Sequence, residues 1–193
     1  RRQRTMVIED RPHRASRRTI KVLSSDVSGK HGFKPYFIAF DEMHVQPNRD
    51  LYDVLTKGMM KNRNSMCGMI TTAGEIGTFA EEIHDTAVSI AKGLVQNEYW
   101  YVAIYSAYDE EGNQPDHQDI FNEDVIAQAN PGYGDNSIIR PADFDIIVQD
   151  TKAQKTGISS YLQLHLNVWV GSLNAYINVN DYRRCNEGVV DLD

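Results

Sequence analysis

Two adjacent acids close the first strongly apolar run of the chain, Tyr36-Phe37-Ile38-Ala39-Phe40-Asp41-Glu42-Met43-His44. A buried strand that ends this way presents its carboxylates at its carboxyl end, where open α/β sheets place their ligand sites. In triphosphate chemistry the first acid of such a pair helps hold Mg2+, usually through water, and the second polarises the attacking water. Asp41 then belongs to the metal and Glu42 serves as general base. The plain alternative is a solvated strand end, where Asp and Glu are ordinary residues. A second apolar run, Met66–Ile70, stops at Thr71-Thr72-Ala73-Gly74. Small hydroxyl residues there can touch a γ-phosphate or its water and report hydrolysis to the next element; the plain alternative is a strand-to-loop turn.

Other candidates are weaker. Lys30 lies in Ser28-Gly29-Lys30-His31-Gly32, but that loop lacks the G-x-x-x-x-G-K-[ST] frame of a phosphate loop. His44 either links a nucleotide site to a DNA-contacting element or is a polar residue at a loop start, the plainer reading. His84 falls on a patterned helix as a solvated or satisfied histidine. Arg49 and Arg63 are each either an arginine finger toward a neighbouring subunit's nucleotide or a surface charge. The tyrosines and Trp100 suit a sheet face better than a base-stacking platform.

The elements that must position these groups are read from periodicity and caps. Thr5–Ile8 and Thr19–Ser24 read as short strands around a polar turn, and Tyr36–Phe40 as the acid-bearing strand. Leu51, Val54, Leu55 and Met59 recur at helical spacing, with Asn48 or Asp50 as cap. Met66–Ile70 is the next strand. Thr78-Phe79-Ala80-Glu81 is a capping box opening a helix whose apolar face is Phe79, Ile83, Ala87, Ile90, Ala91 and Leu94, with Gly93 near its end. Glu98–Tyr108 reads as a strand and Asp109–Asn113 as a turn. A short helix near Asn122–Ala129 ends at Asn130-Pro131-Gly132. Pro141 opens a helix running to about Lys155. Gly157 breaks it, and Ser159 or Ser160 caps a last helix through Trp169; beyond Gly171 the chain reads as extended. Strands and helices thus alternate to residue 108, as in a mostly parallel sheet, and a helical part follows. The expected fold class is α/β, with units at 1–108 and 109–193.

The totals exclude some classes. At 193 residues, 41% hydrophobic and 24% charged, the chain has the composition of a globular protein, and no apolar run reaches membrane-spanning length. Cys67 and Cys185 show no C-x-x-C spacing, which favours neither a disulfide framework nor a zinc site. The net charge of −7 is uneven: residues 1–34 hold ten Lys/Arg against three Asp/Glu, the remainder ten against twenty-four. A basic end of this kind faces nucleic acid or is a solvated hairpin. The amino end lacks an initiator Met and a signal peptide, and Val189–Asp193 reads like the start of a further element, as in an internal piece of a larger protein.

Several segments, in order, resemble the large terminase subunit of tailed bacteriophages, the motor that packages DNA into the capsid. Leu23-Ser24-Ser25-Asp26 with Gly32 resembles the approach to the family's acidic strand. Phe37–His44 looks like its Walker B motif, and Ile70–Gly74 like the motif that couples hydrolysis to movement. Tyr99–Tyr108 followed by acids, then Ala129-Asn130-Pro131-Gly132-Tyr133-Gly134, resembles the segment after the motor core. His165-Leu166-Asn167-Val168-Trp169, with Ala175-Tyr176-Ile177, is similar to the signature that precedes the nuclease domain.

The resemblance implies part of a P-loop, RecA/ASCE-like ATPase domain with Asp41 and Glu42 catalytic and Thr71, Thr72, Ala73 and Gly74 coupling, followed by a small helical linker. It implies Mg2+ with ATP as cofactor, and a divalent metal for an RNase H-like nuclease domain beyond Asp193. The phosphate loop is expected upstream of Arg1, so this piece alone should not hydrolyse ATP. The implied partners are double-stranded DNA, the portal protein, a small terminase subunit and further copies in a ring on the capsid, in the cytoplasm of the bacterial host and with no membrane. Two rivals stand beside this reading. Asp41-Glu42-Met43-His44 with Thr71-Thr72-Ala73 also fits a DExH-type helicase, though such an enzyme gives no reason for His165–Trp169. The other is a non-catalytic adaptor whose acids are only surface.

Overall fold

The computed structural model describes residues 20–24, 32–154 and 157–171. The expected strand at Thr5–Ile8, the Ser28–His31 part of the loop with Lys30, Ser25 and Asp26, Ala175–Ile177, Cys185 and the basic end through residue 19 lie outside the described residues. The chain divides into two compact units, one of residues 1–72 and 78–84 and one of residues 73–77 and 85–193. This contact-based division falls ahead of the 108/109 boundary read from the alternation of strands and helices.

In the first unit, β1 (Phe37–Phe40) and β2 (Met66–Met69) pair in parallel, Phe37 opposite Met66 and Phe40 opposite Met69. Among the described residues this two-stranded sheet is the extent of the expected parallel sheet. The crossover between the strands is α1 (Asp50–Met59), as parallel strands require. Ile38 and Phe40 point inward with Leu51, Leu55 and Met43, while Phe37 faces outward and stays more than half exposed. The Asn48 side chain accepts the Asp50 N–H at 3.0 Å, although the residue at the cap position is Arg49. Gly58 lets α1 approach the Phe33 carbonyl, which a Cβ at that position would strike.

Helix α2 (Phe79–Ala91) begins where the capping box placed it, with Thr78 Oγ1 accepting from Glu81 N–H at 3.4 Å. It closes on a left-handed Gly93 at φ 71°. The Leu94 N–H reaches Ser89 O and the Gly93 N–H reaches Ile90 O, the paired bonds of a Schellman motif.

The second unit has a core of Ile120, Ile126, Phe144, Val148, Tyr161, Leu166 and Val168. Helix α3 (Glu123–Ala129) starts on Asn122, whose side chain accepts from Asp124 N–H. Helices α4 (Pro141–Ala153) and α5 (Gly157–His165) follow. Phe144 presents edge contacts to Tyr133, Tyr161 and His165 at 5.8, 6.3 and 5.7 Å between ring centroids. The Tyr161 hydroxyl donates to Ile120 O at 3.1 Å.

Three expectations are corrected. Glu98–Tyr108 is not a strand. Its carbonyls at Tyr105, Ser106 and Tyr108 accept from the side-chain amides of Asn167 and Gln128, in place of a neighbouring strand's N–H groups. The last helix starts at Gly157, so Ser159 and Ser160 lie inside it, and it ends at His165, before Asn167 turns left-handed at φ 51°. Ile20–Ser24 carries no strand either. No described helix is long and apolar enough to cross a membrane.

Candidate functional site

The carboxyl ends of β1 and β2 form one rim, and the two motifs meet there. Phe40 O accepts from Ile70 N–H at 2.9 Å, and Ile70 O accepts from Met43 N–H at 3.1 Å, so the ladder continues past both strands. Asp41 and Glu42 follow at once, and both are exposed. Glu42 adopts the left-handed conformation, φ 53° and ψ 56°, which few non-glycine residues take and which clusters at functional sites. That bend turns the chain off the strand into a single 3-10 turn, Met43–Val45, anchored by the buried Met43 side chain.

His44 joins the acids to the threonines. Its side chain is only 12% exposed, and Nδ1 lies 3.1 Å from Glu42 Oε2. Its backbone N–H donates to Thr71 Oγ1 at 2.9 Å, and Nδ1 also stands 3.1 Å from Thr71 Oγ1 and 3.4 Å from Thr72 Oγ1. Glu42, His44, Thr71 and Thr72 therefore form one hydrogen-bonded group. The plainer reading of His44, a polar residue at a loop start, understates it; its nearly enclosed ring is the feature that spacing alone does not reveal.

Ala73 and Gly74 belong to the second unit. Ala73 is buried, and Gly74–Ile76 is clipped to Val170, directly after the His165–Trp169 signature. That signature is a clasp. Asn130 Nδ2 donates to His165 O at 2.8 Å, Leu166 O accepts from Ala107 N–H, Asn167 Nδ2 donates to Tyr105 O, and Trp169 N–H donates to the Tyr108 hydroxyl. The two most specific motifs of the second half thus hold each other in place.

Arg49 braces α1 against the start of α2. Its guanidinium is 3.3 Å from Asp53 and 3.7 Å from Glu82, and lies over the Phe79 ring at 5.4 Å. Arg63 is exposed in the turn before β2, at the opposite rim from the acids. No group of three or more His, Cys, Asp or Glu able to hold a metal occurs among the described residues. A single exposed Asp41 fits a magnesium ion that arrives on a nucleotide and keeps water and phosphate oxygens, not an all-protein cage. Gln46, two residues beyond His44, is buried with its Oε1 lacking a hydrogen-bond partner; nothing in the pattern singles it out. Burial pushes the Cys67 thiol on β2 up to about 11.

Comparison with known proteins extends these observations. Residues 1–87 match the family described as terminase large subunit, ATPase domain. Protein YmfN of Escherichia coli (strain K12) is 26% identical over 164 residues, which is 84% of this chain and 34% of that protein. The crystal structure of the HK97 bacteriophage large terminase superposes with a TM-score of 0.61 at 20% identity, over 77% of this chain and 29% of that one. The chain therefore spans about a third of the length of the proteins it resembles, and the structural likeness is one of fold.

Proposed function

We infer, for a chain whose first 87 residues match the terminase large-subunit ATPase family, that Asp41 and Glu42 are the hydrolytic acids of a DNA-packaging motor. In the full-length protein Asp41 holds the nucleotide's magnesium through water, Glu42 takes the proton of the attacking water, and Thr71 and Thr72 pass the outcome to translocated double-stranded DNA. Ala73 and Gly74 carry that message onward. The observation that carries this reading is the meeting of Glu42 and Thr71 on one histidine at the carboxyl rim of a parallel sheet. A triphosphate gripped by a phosphate loop from outside this chain completes the site, and without it the piece is inactive.

The motor works as a ring on the portal protein, with a small subunit selecting DNA and a metal-dependent nuclease domain cutting it. Arg49 or Arg63 serves as the finger toward a neighbour's nucleotide. The family match supports this reading over the helicase and adaptor alternatives. The test is Glu42→Gln in the full-length protein, which removes the base and keeps the shape. ATP turnover should fall by roughly 10²–10⁴, with nucleotide binding retained. Unchanged turnover would return the acids to plain surface.

A further inference from the structure

The hydrogen-bond geometry around His44 fixes more than proximity. Thr71 Oγ1 donates its single proton to Thr72 O at 2.7 Å, so toward His44 it acts as an acceptor. Glu42 Oε2, as a carboxylate, also only accepts. The Glu42 and Thr71 contacts at Nδ1 therefore both require the proton on that nitrogen. One N–H then faces two acceptors at the same separation, 3.1 Å to Glu42 Oε2 and 3.1 Å to Thr71 Oγ1. A single donor serves one acceptor well or two poorly.

We propose that His44 is a positioning residue whose Nδ1–H is contested between Glu42 and Thr71, so that the engagement of Glu42 with the attacking water is transmitted to the coupling threonines. This rests on the assignment of Glu42 as general base. When Glu42 turns to the water, the Nδ1–H passes wholly to Thr71 and tightens its hold there. When Glu42 returns, that hold is shared again. Thr71 Oγ1 is already held by the His44 backbone N–H at 2.9 Å, so the exchange alters the strength of the side-chain contact without releasing the threonine. Thr72 Oγ1, at 3.4 Å from the same nitrogen, is the next group to feel the change. The left-handed backbone of Glu42 lies in the tight turn that sets its carboxylate 3.1 Å from His44 Nδ1.

The experiment compares three variants of the full-length protein, assembled on its portal. An asparagine amide nitrogen falls near Nδ1, a glutamine amide nitrogen near Nε2, and alanine supplies neither. His44→Ala and His44→Gln should lower kcat for ATP by about tenfold or more, leave KM for ATP within about twofold, and reduce the length of DNA packaged per ATP. His44→Asn should restore most of both losses. A merely structural role would make Gln as good as Asn, and that result overturns the proposal, as does wild-type packaging per ATP in all three. Glu42→Gln runs in parallel. If it keeps turnover, the assignment of the acids has failed; if it is dead while the His44 variants behave like wild type, the proposal for His44 alone has failed.

Discussion

Ile76 donates its backbone N–H to the Val170 carbonyl at 2.9 Å, and Val170 in turn donates its own N–H to the Gly74 carbonyl at 3.2 Å. The segment that follows the threonines is thereby stapled to the residue that follows the Trp169 signature. Val170 is also buried, so an unsatisfied Gly74 carbonyl beside it lacks easy access to water. Val170→Pro deletes the donor and should weaken this staple by about 1–3 kcal/mol. Amide exchange over residues 73–77 should accelerate about ten- to hundredfold, with Val170→Ile as the neutral control. Unchanged protection in the proline variant would show that the staple contributes nothing.

Gly58 raises a contest between two effects of opposite sign. Alanine in an exposed helix interior is favoured over glycine by about 1 kcal/mol. Here the new methyl group would drive into the Phe33 backbone carbonyl, and backbone cannot swing aside as a side-chain tip can. Overpacking of this kind costs about 1–3 kcal/mol. Gly58→Ala should therefore lower the unfolding midpoint in urea, whereas an increase would mean that the segment through Phe33 gives way freely.

The legible parts of this chain were those encoded by local chemistry. Thr78 and Glu81 marked a helix start, Asn122 the beginning of a short helix and Gly93 the end of another, because each effect acts within one turn of its own residue. The strand bearing Asp41 was legible because an apolar run ending in acids has few other uses. Glu98–Tyr108 was misread for the opposite reason. Its aromatic and β-branched residues suit a strand, but a strand exists only where a neighbour supplies N–H and C=O groups, and here Gln128 and Asn167 side chains occupy that role. The contacts of His44 with Thr71 and Thr72 were equally beyond reach, since they join residues 27 and 28 positions apart.

Asn167 separates two reasons for one residue type. Its φ of 51° penalises any residue with a Cβ, though asparagine less than most, and its amide holds the Tyr105 carbonyl at 3.0 Å. Asn167→Gly should keep the backbone and lose about 0.5–1.5 kcal/mol for the missing bond. Asn167→Ala should lose that amount and about 1–2 kcal/mol more for the left-handed backbone. Urea unfolding of both variants checks the order; equal losses would assign the whole effect to the amide.

Cys67 should be a slow nucleophile. The thiolate is the reactive form, and burial lifts this thiol to about 11. At pH 8 its alkylation by iodoacetamide, followed on its own peptide by mass spectrometry, should be far slower than that of an ordinary exposed thiol, and it should accelerate as pH rises toward 10. Rapid labelling in the folded protein at pH 8 would contradict the half-buried position on β2.

His165 links pH to the stability of the second unit. Its imidazole is packed against Phe144 and Tyr161, and burial lowers its pKa from the usual 6.5. A folded-state value below the unfolded one means that the unfolded chain binds more protons in the interval between them. The neutral ring's contribution is therefore fully present above pH 6.5 and is lost as pH falls through the unfolded value toward the depressed folded one. The midpoint of thermal unfolding should drop between pH 7 and pH 5 in wild type. His165→Phe keeps an aromatic ring against the same neighbours and removes the titration, so its drop over that interval should be smaller. Parallel curves for the two proteins would place the pH sensitivity elsewhere.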